Sequence, residues 1–393
     1  MKILLVAMTD SMHTARWISQ INEQGWDVRV FSSIAFSHIA NDLDASTIYN
    51  PLFSQRNMAK NKKVIGLNVR NRKLFDIIKS IVSDYMHNIS LKSLIRVIKS
   101  FQPDIIHSLE IQNAGYLTLD AKQRMDSFPP WIVTNWGSDL YLFGRLPEHR
   151  SRIEAVLSEC DYYSCECIRD VGLAQKYGFT GQVMDVMPNT GGFDLARLSS
   201  LRQPGEISDR KVIMLKGYQG WAGRAQVGLR ALARCSEILD GYEVVIYSPD
   251  YATSLSAQLF TQDTGVPVTL LPCGTSHEEI LKYHGKARIS IGLSISDAIS
   301  TSFLEAIAMG SFPIQSWTSC ANEWCDDGVN CILVPPEDPD VVELAIRRAL
   351  SDDDLVNNAA MDNAVTVKER LDSNLLKQKT ISFYNKVATE NGI

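Results

Sequence analysis

The chain has 393 residues, 45% hydrophobic and 21% charged, with a net charge of −6. That length suits two domains of ordinary size, and that balance excludes a disordered chain, a collagen and a small disulfide scaffold. The charge is uneven: residues 54–100 hold eleven Lys/Arg, among them Arg56, Lys60, Lys62, Lys63, Arg70, Arg72, Lys73 and Lys79, against only Asp76 and Asp84. This stretch reads either as a solvated helical face or as a surface drawn to anions such as lipid headgroups or a phosphate-bearing acceptor. Aromatic residues are not interleaved with the cations and the whole protein is acidic, so nucleic acid is not an expected partner.

In chain order, residues 2–8 predict a buried strand, because the apolar run is too short for a signal core or a membrane span. Residues 14–24 carry Ala15, Ile18 and Ile21 at helical spacing, and 27–32 alternate as a strand does. Helices are expected at 74–81 and 91–100, and strands at 103–107, 131–135 and 162–166. The run Pro188-Asn189-Thr190-Gly191-Gly192 is a strong turn signal. It sets the expected organisation: a first domain over 1–186, a polar linker over 187–208, a second domain over 209–373, and a final helix over 374–393 that packs back on the first domain. The second domain repeats the pattern, with strands at 211–216, 242–247, 268–271, 288–293, 312–315 and 331–334. Short apolar strands alternating with helices imply α/β domains with parallel sheets covered on both faces. Ligands then belong at the strand carboxyl ends, and a cleft between the domains is the expected site.

The eight cysteines include no C-x-x-C pair, and no secretion signal is read, so reduced thiols and a cytoplasmic location are expected. The seven histidines are scattered singly and give no metal-ligand spacing.

Two segments can carry chemistry. In Lys216-Gly217-Tyr218-Gln219-Gly220-Trp221-Ala222-Gly223-Arg224, glycines follow a strand and open a helix. They let backbone amides approach an anion while Lys216 and Arg224 add charge, or they serve tight packing alone. In the segment from Ser294 to Gly310, Ser300, Thr301 and Ser302 offer hydroxyls and amides, with Phe303 and Leu304 next in the helix. Glu305 can accept two hydroxyls of a ribose diol, and Asp297 one from a sugar. An ordinary capped helix with a dipole-favoured acid is the simpler alternative.

These residues carry a resemblance to glycosyltransferases of the GT-B fold, family 4. Asp297, seven residues, then Glu305-Ala306-Ile307-Ala308-Met309-Gly310 is similar to that family's E-x7-E motif. Residues 323–338 and 188–194 are similar to two further stretches of it. The resemblance implies two Rossmann-like domains facing a cleft and a retaining, metal-independent transfer with no cofactor beyond a nucleotide-diphospho sugar substrate. It implies that Glu305 holds the ribose and Asp297 the donor sugar. Residues 300–302 with Arg224 and Lys216 would meet the diphosphate. The acceptor would be a glycan or a lipid-linked molecule in cell-surface polysaccharide or glycolipid assembly, with the enzyme peripheral on the inner membrane face. On the acceptor side, His13, His107, Glu110, Asn113 and Asp139 fall at strand ends. Trp136 stands where many members carry a histidine before Gly-Ser-Asp. A non-catalytic GT-B subunit and a sugar-nucleotide epimerase are the alternatives.

Overall fold

A computed structural model describes residues 1–36, 38–40, 42–53 and 63–393, without the side chains of residues 72, 80 and 82–84. Arg56, Lys60 and Lys62 of the cationic stretch lie outside the described residues. The chain divides into two compact units, residues 1–191 with 375–393, and residues 192–374.

Unit 1 is built on eight parallel strands: β1 Lys2–Ala7, β2 Asp27–Ser32, β3 Thr47–Phe53, β4 Val64–Asn68, β5 Ile105–Leu109, β6 Trp131–Thr134, β7 Tyr162–Ser164 and β8 Gln182–Val183. Their spatial order is β4-β3-β2-β1-β5-β6-β7-β8. Alternation explains why β1 is apolar throughout. Leu4 and Val6 enter one core, while Ile3, Leu5 and Ala7 enter a second on the opposite face. β3 and β4 are additions to the sequence reading. The two helices expected at 74–81 and 91–100 are one, Arg72–Phe101, because no Gly or Pro interrupts them. Asn71 caps it by accepting from the Leu74 amide at 3.2 Å, and Gln102 ends it at φ 51°.

The last helix, Ser373–Glu390, lays Leu376, Phe383, Tyr384 and Val387 into the core of unit 1 beside Trp17. Here the structure removes His107 from the acceptor-side candidates. His107 is wholly buried, with Nδ1 2.7 Å from the Tyr384 hydroxyl and Nε2 2.6 Å from Thr134 Oγ1. Burial pushes its imidazole down to about 3, so it stays neutral as a structural bridge.

Unit 2 holds six parallel strands: β9 Val212–Lys216, β10 Glu243–Tyr247, β11 Val268–Leu271, β12 Ala287–Gly292, β13 Phe312–Ser316 and β14 Ile332–Val334. The order is β11-β10-β9-β12-β13-β14. The stretch expected as a polar linker contains the helix Leu195–Leu201, capped by Asp194, whose Leu198 joins the cluster of Phe303, Leu304 and Ile307. Leucines at 195, 198 and 201 give it one apolar side. The expectation of reduced thiols is also corrected at one place. Cys325 and Cys331 form a disulfide, their Cα atoms 6.1 Å apart across the Asp326–Asn330 turn. Among the described residues, no helix is long and apolar enough to cross a membrane.

Candidate functional site

In an open parallel sheet, ligands settle where the strand order reverses, beyond the strand carboxyl ends. In unit 2 that point lies between β9 and β12, so the loops after Lys216 and after Gly292 must form the site. These are the two segments that the sequence singles out. They are stitched together: the Arg224 amide donates to Leu293 O at 3.0 Å, and the Ile295 amide to Ala222 O at 2.9 Å. The Ser294 amide donates to Ser316 Oγ at 3.1 Å, which ties in the loop after β13.

Charge and hydroxyls converge here. The Lys216 ammonium donates to Ser300 Oγ at 3.3 Å and lies 3.9 Å from the Asp297 carboxylate. Ser300 Oγ is 2.8 Å from Ser302 Oγ, and Tyr247, at the end of β10, lies beside Ser302. Burial pushes that phenol above its ordinary range, so it remains neutral. Ser300 precedes the helix Thr301–Ala308 without placing its side chain on a helix amide. The Phe303 and Leu304 amides turn back to Ser300 O, at 2.9 and 3.1 Å. The Thr301 and Ser302 amides find no acceptor among the described residues. A helix start with open amides, hydroxyls and an ammonium is a site for an anion.

Glu305, one turn further on, is 6% exposed and lies 2.7 Å from His277 Nε2. His277 begins the helix after β11 and was not picked out from the sequence. Its signal is positional: it follows the carboxyl end of β11 by six residues, at the end of the sheet where the other site residues gather.

Three expectations change. Phe303 and Leu304 bury their side chains in the core and spend their amides on Ser300 O, so they hold the helix in place and offer no open polar group at its start. The helix after the glycine loop, Ala225–Arg234, is closed to an anion: Gln219 Oε1 accepts its Gln226 amide at 2.9 Å, and Tyr218 O takes Ala225 at 3.3 Å. Gly217 and Gly223 are required by crowding against backbone atoms, whereas a Cβ at Gly220 would meet only the Tyr218 ring. A Cβ at Gly223 would stand 1.9 Å from Tyr218 O, and one at Gly217 would stand 2.7 Å from Pro249 Cα. Arg224 is engaged as well, its Nε donating to Glu337 at 2.9 Å and a terminal nitrogen to Gly223 O at 2.8 Å.

Unit 1 reverses its strand order between β1 and β5, and here the structure gathers acids. Glu110 follows β5 at φ 79°, ψ 157°, a backbone region that is essentially glycine's own, and it opens a π-turn over Ile111–Gly115. Its carboxylate accepts from the Asn113 amide at 2.9 Å and from the Ala114 amide. Asp139 Oδ2 accepts from the Ile111 and Trp136 amides, each at 3.1 Å. Burial, with the nearby Asp139 charge, pushes the Glu110 carboxyl up to about 8, and burial lifts Asp139 to about 6. The rings of His13 and Trp136 meet at 5.3 Å, both half-buried. Unit 1 thus brings His13, Glu110, Trp136 and Asp139 to one region and leaves His107 out.

A "Glycosyl transferase 4-like" family model matches residues 2–88 and 36–163, and a "Glycosyl transferases group 1" model matches residues 242–364. Among proteins of curated function, none matches the sequence. Solved structures resemble the whole chain. Sucrose-phosphate synthase from Thermosynechococcus elongatus superposes with a TM-score of 0.70 at 15% identity, over 99% of both chains. HepE of Anabaena, in complex with UDP-glucose, gives 0.67 at 12% identity, over 98% of this chain and 100% of its own. A glycosyltransferase of Rickettsia africae gives 0.65 at 15%, over 98% of each. Two family models that reach into both units, and one fold shared along the full chain, lead to a single assignment: the protein belongs to the GT-B glycosyltransferases of the family 4-like type.

Proposed function

We propose that unit 2 binds a nucleotide-diphospho sugar and that the protein transfers its sugar, with retained configuration and without a metal ion or other cofactor, to an acceptor bound by unit 1. One observation carries this reading: Lys216 stands between Ser300 and Asp297, beside the open amides that begin the helix Thr301–Ala308. The diphosphate would lie against those amides, the Ser300, Thr301 and Ser302 hydroxyls, and the Lys216 ammonium. Glu305 would exchange its His277 partner for the ribose diol, and Asp297 would accept from a hydroxyl of the donor sugar.

In the transfer, the bond from the anomeric carbon to the diphosphate oxygen breaks, and both electrons leave with the phosphate. The acceptor hydroxyl oxygen forms the new bond, and its proton passes to the departing diphosphate. Negative charge grows on the phosphate during this step, and preorganised amides and a cation stabilise it there. UDP-glucose in HepE supports a nucleotide sugar as donor. The acids of unit 1 suit a hydroxyl-rich acceptor, read as a glycan or a lipid-linked molecule of cell-surface polysaccharide or glycolipid assembly. The cations of residues 54–100 would draw the protein to an anionic, cytoplasm-facing membrane.

The test is thermal unfolding against a panel of nucleoside diphosphates and their sugars, followed by an assay for nucleotide release with acceptor. A ligand at a hundred times its Kd stabilises by about 2.7 kcal/mol. No stabilisation by any member of the panel overturns the reading. Turnover of donor alone into a second nucleotide sugar identifies an epimerase instead.

A further inference from the structure

We propose that the helix Arg72–Phe101 is a membrane-docking element, whose first half presses an apolar stripe into an anionic lipid surface while its second half lays cations on the headgroups. This rests on the membrane partner read above and adds the element and the mode of attachment. The helix spans 30 residues, and its inner side is accounted for by Phe75, Met86, Leu91, Leu94, Val97, Ile98 and Phe101, all buried. Up to Ile89, its outer side is largely apolar, with Asn88 the exposed polar residue on it among those whose side chains are described. Leu74, Ile77, Ile81, Tyr85 and Ile89 are 50, 54, 68, 68 and 44% exposed. At 3.6 residues per turn these five fall within an arc of about 120° and run for about 22 Å along the axis. Monomeric soluble proteins rarely leave so continuous an apolar strip to water.

The same line continues in a different chemistry. Lys92, Arg96 and Lys99 lie on the arc of Leu74 and Ile81, about one to three turns beyond Ile89, and all three are exposed. None of them joins an ion pair among the described residues. Lys73 and Lys79 flank the apolar half and are exposed. The chain reaches the helix through β4, at the sheet edge, where Ile65 and Leu67 are also exposed.

Charge complementarity selects the occupant. A second copy packed antiparallel along the whole helix would set the cations of one helix against the isoleucines of the other, one packed over the stripe alone would leave the cations without a partner, and a parallel pair would set cation against cation. A nucleic acid would satisfy the cations and leave the isoleucines wet. A lipid surface with anionic headgroups satisfies both halves of one straight helix lying in its plane. Each cation near such a surface strengthens partition by about fivefold, and the apolar stripe supplies a component that salt does not screen.

The full chain is sedimented with vesicles of phosphatidylcholine alone and of phosphatidylcholine with phosphatidylglycerol. Wild type is expected on the mixed vesicles, with a residue of binding that survives high salt. Ile81→Glu with Tyr85→Glu should remove the salt-resistant part and weaken partition at least tenfold. Lys92→Glu with Arg96→Glu should remove the preference for phosphatidylglycerol. Stabilisation by nucleotide in unit 2 should be unchanged in both pairs, which separates this inference from the donor-site reading. As an independent measurement, Ile81→Cys in a Cys273→Ser background carries an environment-sensitive fluorophore, whose emission should shift to the blue on mixed vesicles. Wild type that ignores mixed vesicles, a glutamate pair that binds as wild type does, or a dye that stays in water would each overturn the proposal. Dimers that vanish with the glutamate pair would overturn it in favour of a second copy.

Discussion

The two units repeat one architecture, a parallel sheet that reverses its order once, yet they fill the reversal point with opposite chemistry. After β9 and β12, unit 2 places an ammonium, serine hydroxyls and open helix amides. After β5, unit 1 places Glu110, and the loop after β6 brings Asp139 onto the same turn, with Asp170 buried nearby against Arg169 at 2.8 Å. The fold supplies the position and the loops decide the ligand. A diphosphate is stabilised at the first mouth and repelled at the second, whereas hydroxyl groups can be held by the acids of unit 1.

The largest expected effect tests the unit 2 half of this contrast. Glu305→Ala removes a carboxylate with the capacity for two hydroxyl bonds, each charge-assisted bond being worth about 1.5–3 kcal/mol. Nucleotide affinity should fall by about a hundredfold or more by calorimetry, with the fold retained. Unchanged affinity would break the comparison, since the ribose would then lie elsewhere. Lys216→Ala comes next. It should weaken a nucleoside diphosphate by about tenfold to a hundredfold and leave the bare nucleoside nearly unaffected, because in the proposed site the ammonium pairs with the phosphates. Equal losses for both ligands would mean that Lys216 acts by holding the loop together.

The unit 1 half is sharpened by pH. A carboxyl raised by burial holds its proton in the folded state and loses it in the unfolded one. Between the ordinary carboxylate range and about 8, the folded state therefore binds more protons, and stability falls as pH rises. The melting temperature of unit 1 should drop between pH 5 and pH 8, by about 2–4 °C for each kcal/mol involved. Glu110→Gln keeps an acceptor for the turn amides and should flatten that slope above about pH 6, leaving the part that Asp139 contributes below it. A slope above about pH 6 that survives in Glu110→Gln would assign the titration there to other groups.

Much of this was legible in the sequence, and the failures have causes. The strand-helix alternation shows because parallel strands buried on both faces are apolar runs of five or six residues. β3 and β4 escape notice because Pro51 and Gly66 interrupt their patterns, and their pairing comes from the neighbouring edge. Lys216, Asp297, Ser300 and Glu305 are visible because each belongs to a local motif. His277 reaches Glu305 across 28 residues and Glu337 reaches Arg224 across 113, and nothing local announces either contact. The glycine loop misleads for a related reason. Its composition suits an anion, but Gln219 already occupies the helix amide that an anion would need. His107 misleads in the opposite direction, because Tyr384, 277 residues away, closes over it.

The smallest effect is the most discriminating for the glycine loop itself. Arg224 is a cation at a mouth assigned to phosphate, and counting charges alone would rank it with Lys216. Its guanidinium is already bonded to Glu337, whose side chain is 64% exposed, and to Gly223 O. The arginine is mostly covered but its partner stands in solvent, so the pair is screened and could be exchanged for a phosphate at little net gain. Arg224→Ala should therefore weaken a nucleoside diphosphate by only about twofold to fivefold. Glu337→Gln should tighten it slightly, by releasing the guanidinium. If Arg224→Ala instead costs as much as Lys216→Ala, the arginine leaves Glu337 when the ligand arrives. The anion would then lie between the two loops rather than at the start of the helix Thr301–Ala308 alone.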